Sequence, residues 1–208
     1  MDPPSSKILL EATKKLKYTQ TTCAIHPMVS DKYSIAEIIP YLEKVNIIGE
    51  IGMDSVWTDV DLLIQEDIFI KQLEIAQKLK KPVIVHSKGQ EKRISELLKL
   101  YTMEKIIHWY SSLDYLDSYI DLNCYFTVGP SILVNEKSVI NLVKKVDISK
   151  LMVETDGIEA INWALGTNYT IEMTGLIISK MINKIARLKD ISSELVEKNI
   201  EKNFFKFY

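Results

Sequence analysis

The sequence is short of the residues that build special-purpose folds. Only two cysteines, Cys23 and Cys124, stand in 208 residues. They cannot form a disulfide framework, so they read as small core residues of a protein in a reducing, cytoplasmic compartment. Seven glycines and six prolines exclude collagen-like and low-complexity chains. No run reaches the roughly 18 apolar residues that cross a bilayer, so no membrane-spanning helix is expected. The opening MDPPSSKILLEATKK lacks a basic stretch followed by an apolar core, and so does not read as a signal peptide. Charge of one sign is also missing. The formal net charge is −2 with no basic run, which excludes a dedicated non-specific DNA coat. It does not exclude a nuclease that holds phosphates through metal ions. Neither GxGxxG nor a P-loop occurs, which removes the commonest nucleotide-binding classes. Histidine is scarce too, with three in the whole chain.

What remains is an ordinary globular composition, 47% hydrophobic and 26% charged. The length allows one large domain or two small ones. No Gly/Ser-rich linker or shift in composition breaks the chain, so a single domain over 1–208 is expected. Short Ile- and Val-rich runs alternate with segments of near-3.6 apolar spacing. The candidate strands are Thr19–Ile25, Val45–Ile51, Pro82–His86, Lys105–Trp109, Cys124–Val128 and Leu151–Thr155. They are largely apolar on both faces, as strands of a parallel sheet are. The clearest helix runs from Leu62 to Leu79, with Ile64, Ile68, Phe69, Leu73, Ala76 and Leu79 as its apolar stripe. Further helices are expected over Ser34–Lys44, Gln90–Tyr101, Leu113–Leu122, Glu136–Val146, Glu172–Leu188 and Ser192–Phe207. Pro40 should kink or split the first of these. Strand then helix, six times over, means right-handed crossovers and an α/β parallel sheet. The period alone fits both a doubly wound sheet and a β/α barrel.

Chemistry collects at the strand ends. Glu50 lies in the second strand, followed by Gly52 and Asp54. The third strand ends in His86-Ser87, the fourth in His108, and the last in Glu154-Thr155-Asp156. In parallel β/α folds the carboxyl ends of the strands converge on one face, so residues distant in sequence would meet there. Singly, each has a plain explanation: a rim histidine, or a carboxylate capping a helix. Glu50 inside an apolar run is harder to explain that way. A buried carboxylate needs a partner, and leaving it unpaired costs several kcal/mol. Glu50, His86, His108 and Asp156 together therefore read as a metal site. Mixed imidazole and carboxylate donors suit Zn, Mn, Fe or Ni better than Ca or Mg alone. A metal of this kind lowers the pKa of bound water to about 7, and Asp156 would orient or deprotonate that water. His26, in Ile25-His26-Pro27, sits at another strand end and is equally suited to facing substrate or to a structural role. Trp109 and Tyr110 follow His108 and are placed to stack on a base, line the pocket or pack in the core.

These residues, in this order, resemble the TatD-type metal-dependent hydrolases, deoxyribonucleases of the amidohydrolase-like β/α barrels. The match runs from Ile25-His26-Pro27 through Gly49-Glu50-Ile51-Gly52-Met53-Asp54. It continues with Gln65, Phe69, Gln72, Leu73 and Ala76, then Pro82-Val83-Ile84-Val85-His86-Ser87 and His108. It closes with Tyr125-Phe126-Thr127-Val128-Gly129-Pro130, Glu154-Thr155-Asp156, Asn199 and Phe204. The resemblance implies a TIM-type β/α barrel in one hydrolase domain over 1–208. It also implies metal-dependent hydrolysis of phosphodiester bonds in DNA, with one or two divalent ions, Zn, Mn or Mg. Glu50 would lie between two metals, His86 and His108 would hold one, and Asp156 would bind the other and act on the water. His26 and Trp109 are the expected substrate contacts. The family's opening His-x-His pair has no counterpart in this sequence, and neither has its usual Ser-Pro after Asp156. About six of the barrel's eight strands are expected, leaving an edge for a second copy or a partner chain to cover. A catalytically reduced homologue serving as a subunit of an assembly is the alternative expectation.

Overall fold

The computed structural model describes residues 1–16 and 19–207. They fall into two compact units. The first comprises residues 1–108 with 121–124 and the C-terminal end, and the second comprises residues 109–120 and 125–206.

The first unit begins with α1 (Pro3–Thr13), β1 (Thr22–Cys23), α2 (Ile35–Leu42) and β2 (Ile47–Asp54), followed by α3 (Leu62–Leu79), β3 (Val83–Lys88), α4 (Glu91–Leu98) and β4 (Lys105–His108). Its four strands pair in sequence order, all parallel, so α2, α3 and α4 are crossovers. The strands are buried along most of their length, as their Ile and Val content anticipates. α3 has the bounds that its periodicity predicts, with Asp61 as its N-cap and Lys80 left-handed at its C-terminus. Its buried stripe differs from expectation. Ile64 is exposed, whereas Gln65 and Gln72 are buried among Ile68, Phe69, Leu73 and Ala76. Two polar side chains thus take places that a purely apolar count would leave on the surface.

The second unit carries α5 (Leu116–Asp121, Asp121 itself grouped with the first unit), the parallel pair β5 (Tyr125–Val128) and β6 (Leu151–Val153), and α6 (Lys137–Lys145) between them. α7 (Gly157–Leu165), α8 (Thr174–Lys189) and α9 (Ser193–Phe205) follow. Asn203 on α9 donates to the carbonyls of Ile148 and Leu151, tying the last helix to the start of β6.

Among the described residues six strands of an α/β fold are therefore present, as expected, with three corrections. Thr19–Ile25 contributes only the two residues of β1. Pro40 lies inside a continuous α2 and does not split it. Two helices, α1 and α7, were not anticipated. Cys23 and Cys124 are buried and not joined by a disulfide. No helix among the described residues is long and apolar enough to cross a membrane.

Candidate metal centre

Glu50 occupies an irregular point of β2. The β2–β3 register shifts between Ile48 and Ile51, then resumes with Gly52 opposite His86. Gly52 is required there. Its φ is +152°, and a β-carbon would stand 1.9 Å from the His86 carbonyl oxygen. Without that side chain β3 can close on β2 and carry His86 up to Glu50. One strand further on, His86 is in register with His108 of β4, and their rings stack with centroids 6.3 Å apart.

Three imidazoles consequently surround one carboxylate. Glu50 Oε2 is 3.6 Å from His26 Nε2 and 3.8 Å from His86 Nδ1, while Oε1 is 3.9 Å from His108 Nδ1. These separations exceed hydrogen-bonding distance. They approach the spacing of donors that share one ion at bond lengths of about 2.0–2.2 Å. His26, Glu50 and His86 have ligand atoms close enough to hold a metal in common. Burial opposes ionisation of Glu50, but the imidazoles of His26, His86 and His108 more than reverse that and hold its carboxyl well below the usual range. For His86, burial disfavours the proton, yet Asp54 and Glu50 outweigh it and raise the pKa. For His26 burial prevails and the pKa falls. A carboxylate whose ionised form is favoured, with imidazole nitrogens around it, is a fitting donor set for a borderline divalent cation.

The supports of these side chains are equally specific. Gln72 of α3 accepts from the Ile25 amide at 2.8 Å and donates to the Ile25 carbonyl at 3.0 Å, fixing the backbone that bears His26. Gln65, two turns earlier, makes the same pair of bonds with the backbone of Asp54, at 2.7 and 2.9 Å. Both glutamines belong to the family-like pattern in the sequence. Their function as backbone clamps follows only from three-dimensional pairing. Asp54, which sequence reasoning left outside the site, is fully buried. It accepts a hydrogen bond from His86 Nε2 at 2.8 Å.

The second unit holds the other expected site residues. Asp156 lies just beyond β6, at the N-terminus of α7, exposed and left-handed with φ 55°. It makes no side-chain cap bond to the helix. Glu154 is half-buried, and its Oε1 accepts from the Trp109 amide at 2.8 Å and the Thr127 hydroxyl at 2.6 Å. Trp109 is half-buried with φ 36°. Its indole nitrogen donates to Ser131 at 3.0 Å and its ring lies over Gly129, where a β-carbon would come within 2.3 Å of it. The largely exposed Trp163 meets it edge to face. A groove of about 450 Å³ elsewhere in this unit is lined by Leu133, Tyr169, Lys180, Asn183, Lys184 and Arg187, among others.

Parallel β/α crossovers that deliver a carboxylate and imidazoles to strand ends are the architecture of the metal-dependent hydrolases. Within that class, the profile described as "TatD related DNase" matches residues 1–208, and the chain belongs to this family. An uncharacterized metal-dependent hydrolase of Methanocaldococcus jannaschii is 31% identical over 161 residues, covering 77% of this chain and 61% of that protein. A Mus musculus protein, TATDN3, whose name proposes a deoxyribonuclease, is 28% identical over 81% of this chain and 57% of its own length. The first relatives are matched over about three fifths of their length. Among solved structures, the TatD homologue YjjV of Escherichia coli superposes with a TM-score of 0.85 at 19% identity, over 100% of this chain and 83% of that one. A TatD-family hydrolase of Entamoeba histolytica gives 0.78 at 17% identity, over 99% and 80%. These likenesses establish the α/β fold as that of the TatD barrels.

Proposed function

We propose that this chain acts as one metal-dependent hydrolase domain on phosphodiester bonds, with DNA as the substrate class. The observation that carries the proposal is the Glu50 carboxylate between the imidazoles of His26, His86 and His108, at 3.6–3.9 Å. Glu50, His86 and His108 would hold a divalent metal, Zn, Mn or Mg. When bound, such an ion polarises a phosphoryl oxygen and makes a nucleophile of water near neutral pH. Asp156 takes the proton of the attacking water, and His26 faces the substrate. Trp109, braced by Ser131 and Gly129, offers a ring for a base to stack on. The cations Lys180, Lys184 and Arg187 in the groove of the second unit support a polyanionic substrate.

The test is hydrolysis of a short DNA or a phosphodiester model with added Mn²⁺ or Mg²⁺, for the wild-type chain and for Asp156→Asn. The amide cannot accept a proton, so the variant should lose activity while keeping its fold. A variant with wild-type kcat would make Asp156 a structural residue and overturn that assignment.

A further inference from the structure

Of the three imidazoles around Glu50, those of His86 and His26 are each held from behind by a different group. Behind His86 stands Asp54, with both carboxylate oxygens engaged. Oδ1 takes the amides of Val56 and Trp57 at 2.7 and 2.8 Å, and Oδ2 takes His86 Nε2 at 2.8 Å. Gln65 pins the Asp54 backbone on both sides of the residue. This carboxylate cannot swing toward an ion. It can only accept, so the His86 hydrogen belongs on Nε2 and the Nδ1 lone pair faces Glu50. Behind His26 stands a donor. The Met28 amide points at His26 Nδ1 at 3.3 Å, the residue capping its own short 3₁₀ turn. That nitrogen must accept, so the His26 hydrogen belongs on Nε2, the atom directed at Glu50. The two rings share one tautomer but turn opposite atoms to the same carboxylate.

From this we infer that Asp54 is the positioning residue that makes His86 a metal ligand through Nδ1, and that His26 turns an N–H toward Glu50 and the substrate side rather than a lone pair toward a metal. The inference rests on the metal-site reading above and adds a division of labour among its histidines. Replacing Asp54 by asparagine would keep an oxygen for the Val56 and Trp57 amides and turn an N–H toward His86. Nε2 must then accept, the hydrogen moves to Nδ1, and the lone pair facing Glu50 is lost.

The experiment is calorimetric titration of Zn²⁺ into the metal-free full chain, with Asp54→Asn and His26→Gln alongside. Asp54→Asn should weaken Zn²⁺ binding by about 10–100-fold. His26→Gln, which keeps a donor, should bind within about threefold of wild type, because it removes no metal ligand. Should Asp54→Asn fail to fold, long-range proton–nitrogen spectra of the metal-free wild type decide. At a pH where the rings are neutral, His86 and His26 should both carry hydrogen on Nε2. Equal Zn²⁺ affinity in Asp54→Asn and wild type, a His26→Gln loss as large as that of His86→Ala, or hydrogen on Nδ1 of either ring overturns the inference. Wild-type protein that binds no Zn²⁺ instead overturns the underlying metal-site reading.

Discussion

Glu50 lies within β2 and Glu154 just past β6, one carboxylate in each compact unit, and they are satisfied in opposite ways. Glu154 has the hydrogen bonds a carboxylate needs, from a backbone amide and a threonine hydroxyl. Glu50 has three nitrogens just beyond hydrogen-bonding distance. The first arrangement is complete without any ligand and acts as a brace for the turn after β4. The second, on the reading proposed above, is completed by a cation. Identical side chains on similar strands thus differ in function because of what the neighbouring strands present: threonine beside Glu154, histidine beside Glu50.

The comparison can be broken most severely at Gly52. Gly52→Ala would place a methyl group 1.9 Å from the His86 carbonyl oxygen and force β2 and β3 apart. A loss of more than about 4 kcal/mol, seen as a large fall in the denaturant midpoint, is expected. Next comes the pair of carboxylates themselves. Glu50→Gln should weaken metal binding by more than about 100-fold, read by metal analysis. Glu154→Leu should leave metal content unchanged while destabilising the fold by about 1–3 kcal/mol, read by chemical denaturation.

Acidity sharpens the contrast further. Burial opposes the Asp54 charge, but His86 and the amides of Trp57 and Val56 lower its pKa. Its stabilising contribution is therefore present above the ordinary carboxylate pKa and lost as pH falls through the folded value. His86 has a raised pKa. Its contribution is complete below the ordinary imidazole value and lost as pH rises through the folded one. The Asp54–His86 pair should thus contribute most in the weakly acidic range between the two, and melting temperatures across pH for wild type and Asp54→Asn would show it. The smallest effect concerns the groove of the second unit. Replacing Lys180, Lys184 and Arg187 by glutamate should lower the affinity for single-stranded DNA. It should also flatten the salt dependence by a slope of about 0.7 for each phosphate no longer neutralised, with the metal site untouched.

Much of this arrangement is legible in the sequence because it follows from local pattern. Short β-branched runs give the strands, and the α3 periodicity gives both its ends. A carboxylate inside an apolar run marks Glu50, and imidazoles at the ends of apolar runs mark His86 and His108. What escapes is long-range pairing. Gln65 and Gln72 look like surface residues until their amides are seen closing on the backbones of Asp54 and Ile25. Asp54 looks like a loop residue until β3 brings His86 against it. α7 is hidden because its start depends on a left-handed Asp156 and on Gly157 at φ 85°, a backbone choice with no periodic signature. Pro40 is misleading for a simpler reason: it stands in the last turn of the short α2, where its missing amide removes a single bond.

The central claim is that the side chains around Glu50 form a metal site. Metal analysis of protein purified without chelator tests it most directly, with wild type and His86→Ala compared. A transition metal near one equivalent in wild type, lost in His86→Ala, is the predicted result. Less than about a tenth of an equivalent in wild type after added metal, unchanged by His86→Ala, would contradict the account.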